Sequence, residues 1–364
     1  MSTFALYFIR TTTGEVGSRV DPLSLSWSIA LNKSDSISAT IPKEKLRKTD
    51  KLWWHPWSGG LLVTFTDHQG FERPLAAGPI TDWGTEDGHS LQVSASGIRT
   101  IFEKRTVWEN LSYTGLSLGS IAWRLVQHGM DKPGGGLPIV HGAPDESGIH
   151  QRTYERWNLA NNAVEKRLTE LSEVINGPDI MFRPRWKDDS HRQIVWDFVH
   201  GTNLDPYIAQ SWTPDFDTTT ALSDIAGVDI TSTGKHLVNR VWYTGAGEGE
   251  GVARDYAENL KAVEEGSPFL EKVESDADQA DASVLKSKAQ GDLTASTEML
   301  DQVTLKVSTT STKNPLGSFY VGDLARVTLD GWLSVPDGTR DMRIIKMAGS
   351  TSHEITLDFQ EDSW

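Results

Sequence analysis

The sequence contains no cysteine among its 364 residues. Disulfide bonds, thiol catalysis and thiolate metal sites are therefore excluded. Cations are also scarce, since 35 Lys and Arg stand against 50 Asp and Glu and leave a formal net charge of −15. That charge argues against a protein that holds nucleic acid by its phosphates. No run approaches the ~18 consecutive apolar residues of a membrane span, and the apolar run at 4–9 is too short for a signal peptide. We expect neither stable membrane insertion nor a signal sequence.

The composition is otherwise that of a globular protein, with 37% hydrophobic and 23% charged residues. At ~100–200 residues per domain, the length predicts two or three domains. Tryptophan is frequent, with 14 residues, and this residue usually marks cores, interfaces or ligand platforms.

Residues 1–105 are predicted to be rich in β-strands. Between Leu23 and Ile29, apolar residues alternate with serines, which is the period of a half-buried strand. Similar runs recur at 61–66 and 91–95, separated by glycine-containing turns, and residues 97–104 resemble a short helix. Closely spaced short strands indicate a barrel or a sandwich.

Residues 106–204 are predicted to form an inserted α/β domain. An amphipathic helix is expected from Leu116 to Met130 and a second one from about Leu159 to Ile175, ended by Asn176, Gly177 and Pro178. Strand-like runs follow at 180–182 and 193–199, whereas residues 108–113 resemble a loop.

The remaining chain returns to strands around an acidic insertion. Runs at 208–213, 225–231 and 237–243, and later ones between 303 and 359, predict a second β domain from residues 205–248 and 301–364. Residues 249–300 are predicted to be an acidic, helical insertion, because residues 248–300 hold 13 of the acidic residues and only five basic ones. The glycine-rich stretch before it predicts a flexible hinge at Gly245, Gly247, Gly249 and Gly251.

One short motif matches the nucleophile elbow of serine hydrolases. Residues 115–119 read Gly-Leu-Ser-Leu-Gly and precede the first predicted helix. An elbow requires a strand upstream and a later Asp and His. Since 108–113 resembles a loop, we favour the alternative that Ser117 caps the helix.

Carboxylate and histidine patterns do not indicate chemistry either. Asp215 and Asp217 share a strand face, and Asp276, Asp278 and Asp281 form an acidic group without the glycine and distal glutamate of a calcium loop. The ten histidines show no metal-binding spacing. We therefore predict no catalytic, cofactor-binding or metal-ligating residues.

The densest aromatic cluster is Trp53, Trp54 and Trp57, within Trp-Trp-His-Pro-Trp. Such a cluster can anchor an interface, pack onto the first β domain or form a carbohydrate platform. An interface or core role is favoured over sugar binding, and these three tryptophans are the candidate interface residues.

The order of elements resembles the tail-tip hub, a baseplate-hub-like minor tail protein, of long-tailed phages that infect Actinobacteria. Four stretches carry the resemblance, and they cover the strand pair 27–42 with its Gly78-Pro-Ile80 strand, the helix 116–126, the Gly-Glu-Gly segment 239–251, and the Gly-Asp strand 320–327.

The resemblance implies a mainly β, α+β fold of two tail-tube-like barrels with α/β insertions. It implies a non-enzymatic homotrimer at the virion tail tip, assembled in the host cytoplasm, that continues and closes the tail tube and opens for DNA ejection. The implied partners are the distal tail protein, the tape measure protein and tail fibres, while genome DNA passes without specific binding. The alternative is a cell-wall-degrading or carbohydrate-binding tail protein, using Ser117 or an Asp pair, or the tryptophan cluster.

Overall fold

The computed structural model describes residues 3–174, 176–220, 224–277, 279–297 and 300–361. The chain forms two compact units. Unit 1 comprises residues 1–229, 304–332 and 336–364, and unit 2 comprises residues 230–303 and 333–335. The finer division into segments 1–105, 106–204, 205–248 with 301–364, and 249–300 remains a prediction.

The first part of unit 1 follows the predicted alternation closely. Its strands are Thr3–Arg10 (β1), Val16–Val20 (β2), Ser24–Ala30 (β3), Ser36–Pro42 (β4), Gly59–Thr66 (β5), Glu72–Glu86 (β6) and Ser90–Ser96 (β7). The α-helix Lys43–Lys48 (α1) and the 3-10 turns Lys51–Trp53 and Ile98–Lys104 connect them.

The middle of unit 1 contains both predicted helices. Its elements are Leu111–Leu116 (β8), Leu118–Met130 (α2), Ile139–His141 (β9), Ser147–Tyr154 (β10), the 3-10 helix Arg156–Asn161, Val164–Ser172 (α3), Ile180–Trp186 (β11) and Ile194–His200 (β12). The loop predicted at 108–113 is wrong in part, because β8 pairs with β10 over this stretch. Both strands are polar and largely exposed, so neither shows an apolar alternation.

The second predicted helix is shorter than expected. A 3-10 segment and α3 replace one continuous helix, and the break falls at Asn162, whose buried amide donates to Glu155 O at 2.8 Å and accepts from Arg167. These bonds hold the backbone out of the helical ladder. The predicted end at Ile175 lies outside the described residues, while Asn176 has the predicted left-handed conformation, with φ 56°.

The C-terminal part is again built of strands. Its elements are Asp215–Asp217 (β13), Ile225–Thr233 (β14), Arg240–Thr244 (β15), the 3-10 turn Gly249–Gly251, Arg254–Glu258 (β16), Lys261–Glu264 (α4), Glu271–Ser275 (β17), Ala282–Ala295 (α5), Leu300–Ser308 (β18), Leu324–Leu329 (β19), Gly338–Ser350 (β20) and Glu354–Glu361 (β21). The strand predicted at 208–213 is wrong. Here the Gln210 side chain, not a strand ladder, bonds both backbone groups of Leu324.

One sheet dominates the fold. Its strand order is β14-β18-β21-β20-β3-β4-β7-β6-β5-β1-β2, with β13 and β19 joined to the path at β20. Most of its strands bury apolar residues on one side, whereas β5 and the middle of β6 are buried on both sides. Beside the sheet, α2, α3, β11 and β12 enclose a second cluster around Trp196, whose indole donates to Ala77 O at 3.3 Å.

The mainly β prediction is confirmed. The order of the large sheet is open within the described residues, so the two predicted barrels are not confirmed. Among the described residues, no helix is both long and apolar enough to span a membrane.

Candidate functional site

Small hydroxyl side chains cover one face of the central strands. Because β3, β4 and β7 pair antiparallel, Ser26, Ser38 and Ser94 lie side by side in one row. The neighbouring row holds Ser28, Ser36 and Ser96. We name this surface the hydroxyl face, and it consists of Ser24, Ser26, Ser28, Ser36, Ser38, Thr40, Ser94 and Ser96.

The hydroxyl face is held by bonds between neighbouring strands. Ser24 Oγ donates to Thr40 Oγ1 at 2.9 Å, and the hydroxyls of Ser28 and Ser36 are 3.0 Å apart. The face forms a shallow groove of about 490 Å³, in which Asp82 is the one charged residue among those that line it. The opposite sides of the same strands are buried in the core. The surface is therefore polar, nearly uncharged and rigidly supported.

The three predicted interface tryptophans differ in their exposure to solvent and in their packing. Trp53 is half-buried, and its ring packs so closely on Gly17 that a Cβ there would lie 2.8 Å from it. Trp54 is also half-buried and packs on Trp83, with ring centroids 5.1 Å apart. Trp57 is 38% exposed. Two of these residues thus support the loop, and Trp57 is the one that faces solvent.

Trp57 is held in an unusual conformation. Its φ is 67°, a left-handed value that is rare for a bulky side chain, and its N–H donates to Ile80 O at 2.8 Å. The Lys104 ammonium lies 5.4 Å from the centre of the indole. Such strain persists only where surrounding bonds fix it, and it often accompanies functional positions. The interface role of Trp57 stays a prediction.

Ser117 lies where the elbow motif would place a nucleophile, since β8 precedes it and α2 follows. Its side chain is buried, accepts from Ser120 N at 3.0 Å and donates to Ser120 Oγ. The described residues give it no histidine partner. His200 packs against Gly119, but its Nδ1 faces Gly201 O at 2.7 Å and its Nε2 faces another histidine. The geometry fits the predicted helix cap and not an activated nucleophile.

The histidine facing His200 is His141, and this pair was missed by the sequence analysis. The two Nε2 atoms are 3.0 Å apart, and the His141 ring stacks on Trp123 at 4.7 Å. Burial lowers the pKa of both imidazoles, and for His141 the neighbouring His200 lowers it further. The two residues are 59 positions apart at the ends of two strands that pair, so no local motif could have indicated the contact.

The candidate acidic groups do not assemble into a metal site. Asp215 pairs with Lys313 at 2.9 Å, and Asp217 accepts from Thr219. Asp276 pairs with Lys288, whereas Asp278 lies outside the described residues. Within the ranges that the structure describes, no group of three or more acidic or histidine residues could hold a metal ion.

A buried carboxylate ties distant segments of unit 1 together. Asp179 accepts from Asn32 Nδ2 at 3.1 Å and from Arg343, whose guanidinium lies 3.7 Å from the ring centre of Tyr207. Burial raises the pKa of Asp179 to about 6, and Arg343 opposes that rise. The network joins three loop residues to the interior of β20, and the Asp179 carboxylate is itself buried, which fits a structural role.

The candidate hinge glycines lie between β15 and β16. Gly245 N donates to Ala253 O at 2.7 Å, so this stretch continues the hairpin as an ordered turn. A Cβ on Gly245 would lie 2.0 Å from Gln279 O, and one on Gly247 would lie 2.4 Å from Gly251 O, whereas Gly249 and Gly251 have open space. The hinge role stays a prediction.

Unit 2 carries a surface that the sequence analysis also missed. Its three strands pair in the order β16-β15-β17, and one side is buried on α5 through Val241 and Ala257. The other side is open, and the register places Tyr256, Trp242 and Val273 in one row across it. We name this surface the aromatic sheet face.

Comparison with known proteins finds similar folds among solved structures. No family model and no curated protein matches the sequence. Among solved structures, the tail protein from Neisseria meningitidis MC58 matches with a TM-score of 0.60 and 14% identity, over 99% of this chain and 97% of that one. The 43 kDa tail protein of prophage MuSo2 from Shewanella oneidensis matches with a TM-score of 0.57 and 11% identity, over 99% and 98%.

A chain of the Francisella PdpA–VgrG complex also matches, with a TM-score of 0.54 and 9% identity, over 99% of this chain and 58% of that one. The structural neighbours are thus phage tail proteins and a VgrG-containing assembly. At these identities, the matches show a shared fold.

Proposed function

We propose that this chain is a structural, non-enzymatic protein of a phage tail tip, a baseplate-hub-like subunit that continues the tail tube. The observation that carries this function is the match of the fold, over 99% of the chain, to two tail proteins of nearly the same extent. The match spans 97% and 98% of those two chains, so the shared fold is not confined to one small module. The cap geometry of Ser117 supports a role without catalysis.

Within this function, the hydroxyl face is the surface best suited to line the channel for DNA. A wall that lets a polyanion pass needs polar groups and few cations, because each Lys or Arg in contact with phosphate releases counterions and holds the DNA. The groove on this face is lined mainly by serines and small or apolar residues, with one carboxylate and no cation among them. Small side chains also leave a smooth wall.

The finer features of the proposal follow the resemblance. The subunit forms a homotrimer with two tube-like barrels per chain, contacts the distal tail protein, the tape measure protein and tail fibres, and belongs to the tail tip of a phage of Actinobacteria. The trimer closes the tube and opens for DNA ejection. In this proposal, opening moves residues 249–300 together with β15, because β15 pairs with both β16 and β17, and the predicted hinge at Gly245, Gly247, Gly249 and Gly251 flexes without separating these strands.

Oligomeric state tests the proposal most directly. We expect the purified full chain to be a trimer by mass photometry, and electron microscopy to show threefold particles with a central channel. A chain that stays monomeric across micromolar concentrations would contradict it. The hinge is checked by comparing closed and DNA-ejected particles, in which an unmoved 249–300 segment would exclude it.

A carbohydrate-binding tail protein is the second candidate, because Trp57 and Trp83 are each about 38% exposed beside one loop. Binding of the purified chain to host cell-wall glycans, lost in Trp57→Ala and kept in Trp108→Ala, would favour it. Absence of binding to any glycan of an array would exclude it.

A further inference from the structure

The aromatic sheet face of unit 2 exposes several large apolar side chains to solvent. Val273 is 63% exposed and Tyr256 is 37% exposed, although the Trp242 and Tyr256 rings already pack with centroids 4.6 Å apart. The adjoining loop adds Leu260, Phe269 and Leu270, which are 39%, 43% and 44% exposed. Contiguous exposed apolar residues with a polar rim mark interaction sites.

The rim of this face is acidic. Beside the aromatic row, Glu258 and Glu271 flank Arg240, which pairs with Glu258 at 2.7 Å and lies over the Phe269 ring at 4.8 Å. The Arg240 guanidinium is therefore already paired within its own chain and does not neutralise a partner's acidic group. Over residues 254–275, six acidic and three basic side chains leave a net charge of −3. A partner that fits this face offers apolar or aromatic side chains surrounded by cations.

Unit 1 carries a surface of that kind. Over residues 43–51, five basic and two acidic side chains give a net charge of +3, in a chain whose total is −15. Lys43 pairs with Glu86 and Lys45 with Asp21, whereas Arg47 and Lys48 are exposed at the end of α1 and have no ion-pair partner within the described ranges. Directly after them, Leu52 is 52% exposed and Trp57 is 38% exposed. We name residues 43–57 the basic tryptophan loop.

We infer that the aromatic sheet face of one copy binds the basic tryptophan loop of a neighbouring copy. The inference rests on the proposed oligomer and names its contact. The two surfaces have opposite charge, each is exposed in the single chain, and each carries exposed apolar side chains. Trp57 supplies the rigid aromatic anchor that interface centres favour.

The contact has a consequence for symmetry. Two different surfaces of the same chain make a head-to-tail contact, which closes into a ring when the rotation between copies permits. Three such contacts build a threefold ring in which every copy uses both surfaces once. Its opposite charges also make the ring sensitive to salt.

Charge exchange tests the pairing. In the full chain, we reverse one surface with Arg47→Glu and Lys48→Glu. We reverse the loop that adjoins the aromatic sheet face with Glu264→Lys and Glu265→Lys, at the end of α4 between Leu260 and Phe269, and we combine all four. All four side chains are exposed, so folding should persist, which thermal melting verifies. Each reversed surface should weaken the oligomer on the order of a hundredfold, and the combined variant should restore it. Lys166→Glu with Lys286→Glu is the matched control, because these exposed residues lie outside both surfaces.

The outcomes separate the inference from the proposed function. A wild-type chain that is monomeric at all concentrations overturns both. A trimeric wild type whose reversed variants stay trimeric overturns only the pairing. Dissociation without rescue in the combined variant also overturns it, because each surface then contacts some other part of the neighbouring copy. Dissociation in both reversed variants with rescue in the combination supports the pairing.

Discussion

The Nε2 atoms of His141 and His200 face each other at 3.0 Å, between two paired strands of unit 1. Since Gly201 O can only accept, the 2.7 Å contact assigns the proton on His200 to Nδ1, and its Nε2 accepts from His141. The hydrogen bond between the two rings therefore requires a neutral His200. Protonation of both rings would place two donors and two charges against each other. Asp145 lies 3.8 Å from the other nitrogen of His141, and its charge opposes the lowering of that ring's pKa.

This geometry predicts loss of stability in acid. Burial lowers both histidine pKa values below the unfolded value of about 6.5. The unfolded chain thus binds more protons between the lowered pKa and 6.5, so the stabilisation is present above 6.5 and is lost as pH falls below it. We expect the melting temperature of the wild type to fall between pH 7.5 and 5.5 by more than that of His141→Gln.

The wild type must be compared with a histidine variant because Asp179 changes the stability with pH in the opposite direction. Its pKa of about 6 lies above the unfolded value of 3.8, so its contribution to stability falls as pH rises through that window. His68→Gln is the control, since His68 is exposed and outside the pair. Equal pH dependence in the wild type and His141→Gln would contradict the role of the pair.

Gly78 is predicted to be intolerant of any side chain. A Cβ at this position would lie 1.8 Å from Ser96 O, a backbone atom that cannot move without shifting β7. Overpacking of this kind costs about 1–3 kcal/mol. We expect Gly78→Ala to lower the free energy of unfolding, measured by urea titration, by about 1–3 kcal/mol or more. Gly88→Ala, where nothing lies within 4 Å, should be nearly neutral, and equal effects in the two variants would exclude close packing as the reason.

The sequence predicted well those elements whose own residues carry the signal. The alternation from Leu23 to Ile29 gave β3 to within a residue, and the helix from Leu116 to Met130 gave α2. Elements that depend on a distant partner were missed. Strand β8 forms because β10 pairs with it, and Gln210 replaces a strand by bonding Leu324 from 114 positions away.

The candidate sites divide in the same way. The serines of the hydroxyl face are visible in the sequence as alternation, but their alignment into rows depends on the register of three strands. The tryptophan cluster is visible too, yet which of its members is exposed follows from contacts with Gly17 and Trp83. The aromatic sheet face needs three strands of unit 2 and has no local signature.

Ser117→Ala distinguishes a helix cap from a nucleophile. Loss of the cap should lower the free energy of unfolding by about 1 kcal/mol, because Ser120 N loses its acceptor. Ser117→Thr keeps the hydroxyl and should retain more of that stability. Hydrolysis of peptidoglycan or of an ester by the wild type, abolished in both Ser117→Ala and Ser117→Thr, would instead revive the hydrolase alternative.

Ser38→Lys tests whether the hydroxyl face lines a DNA channel. Ser38 lies in the middle of the face, and among the described side chains it bonds Gln92 alone, so a longer residue can extend from it. In a trimer, three new cations would face passing phosphates, and three phosphate contacts make DNA affinity fall about 40-fold between 50 and 200 mM salt. We therefore expect the Ser38→Lys oligomer to acquire salt-dependent DNA binding, measured by fluorescence anisotropy, and phage carrying it to eject DNA more slowly. Ser38→Asn controls for side-chain size, and Gln290→Lys, on an exposed position of α5, controls for charge. Equal gains in DNA binding for Ser38→Lys and Gln290→Lys would show that the hydroxyl face has no special access to DNA.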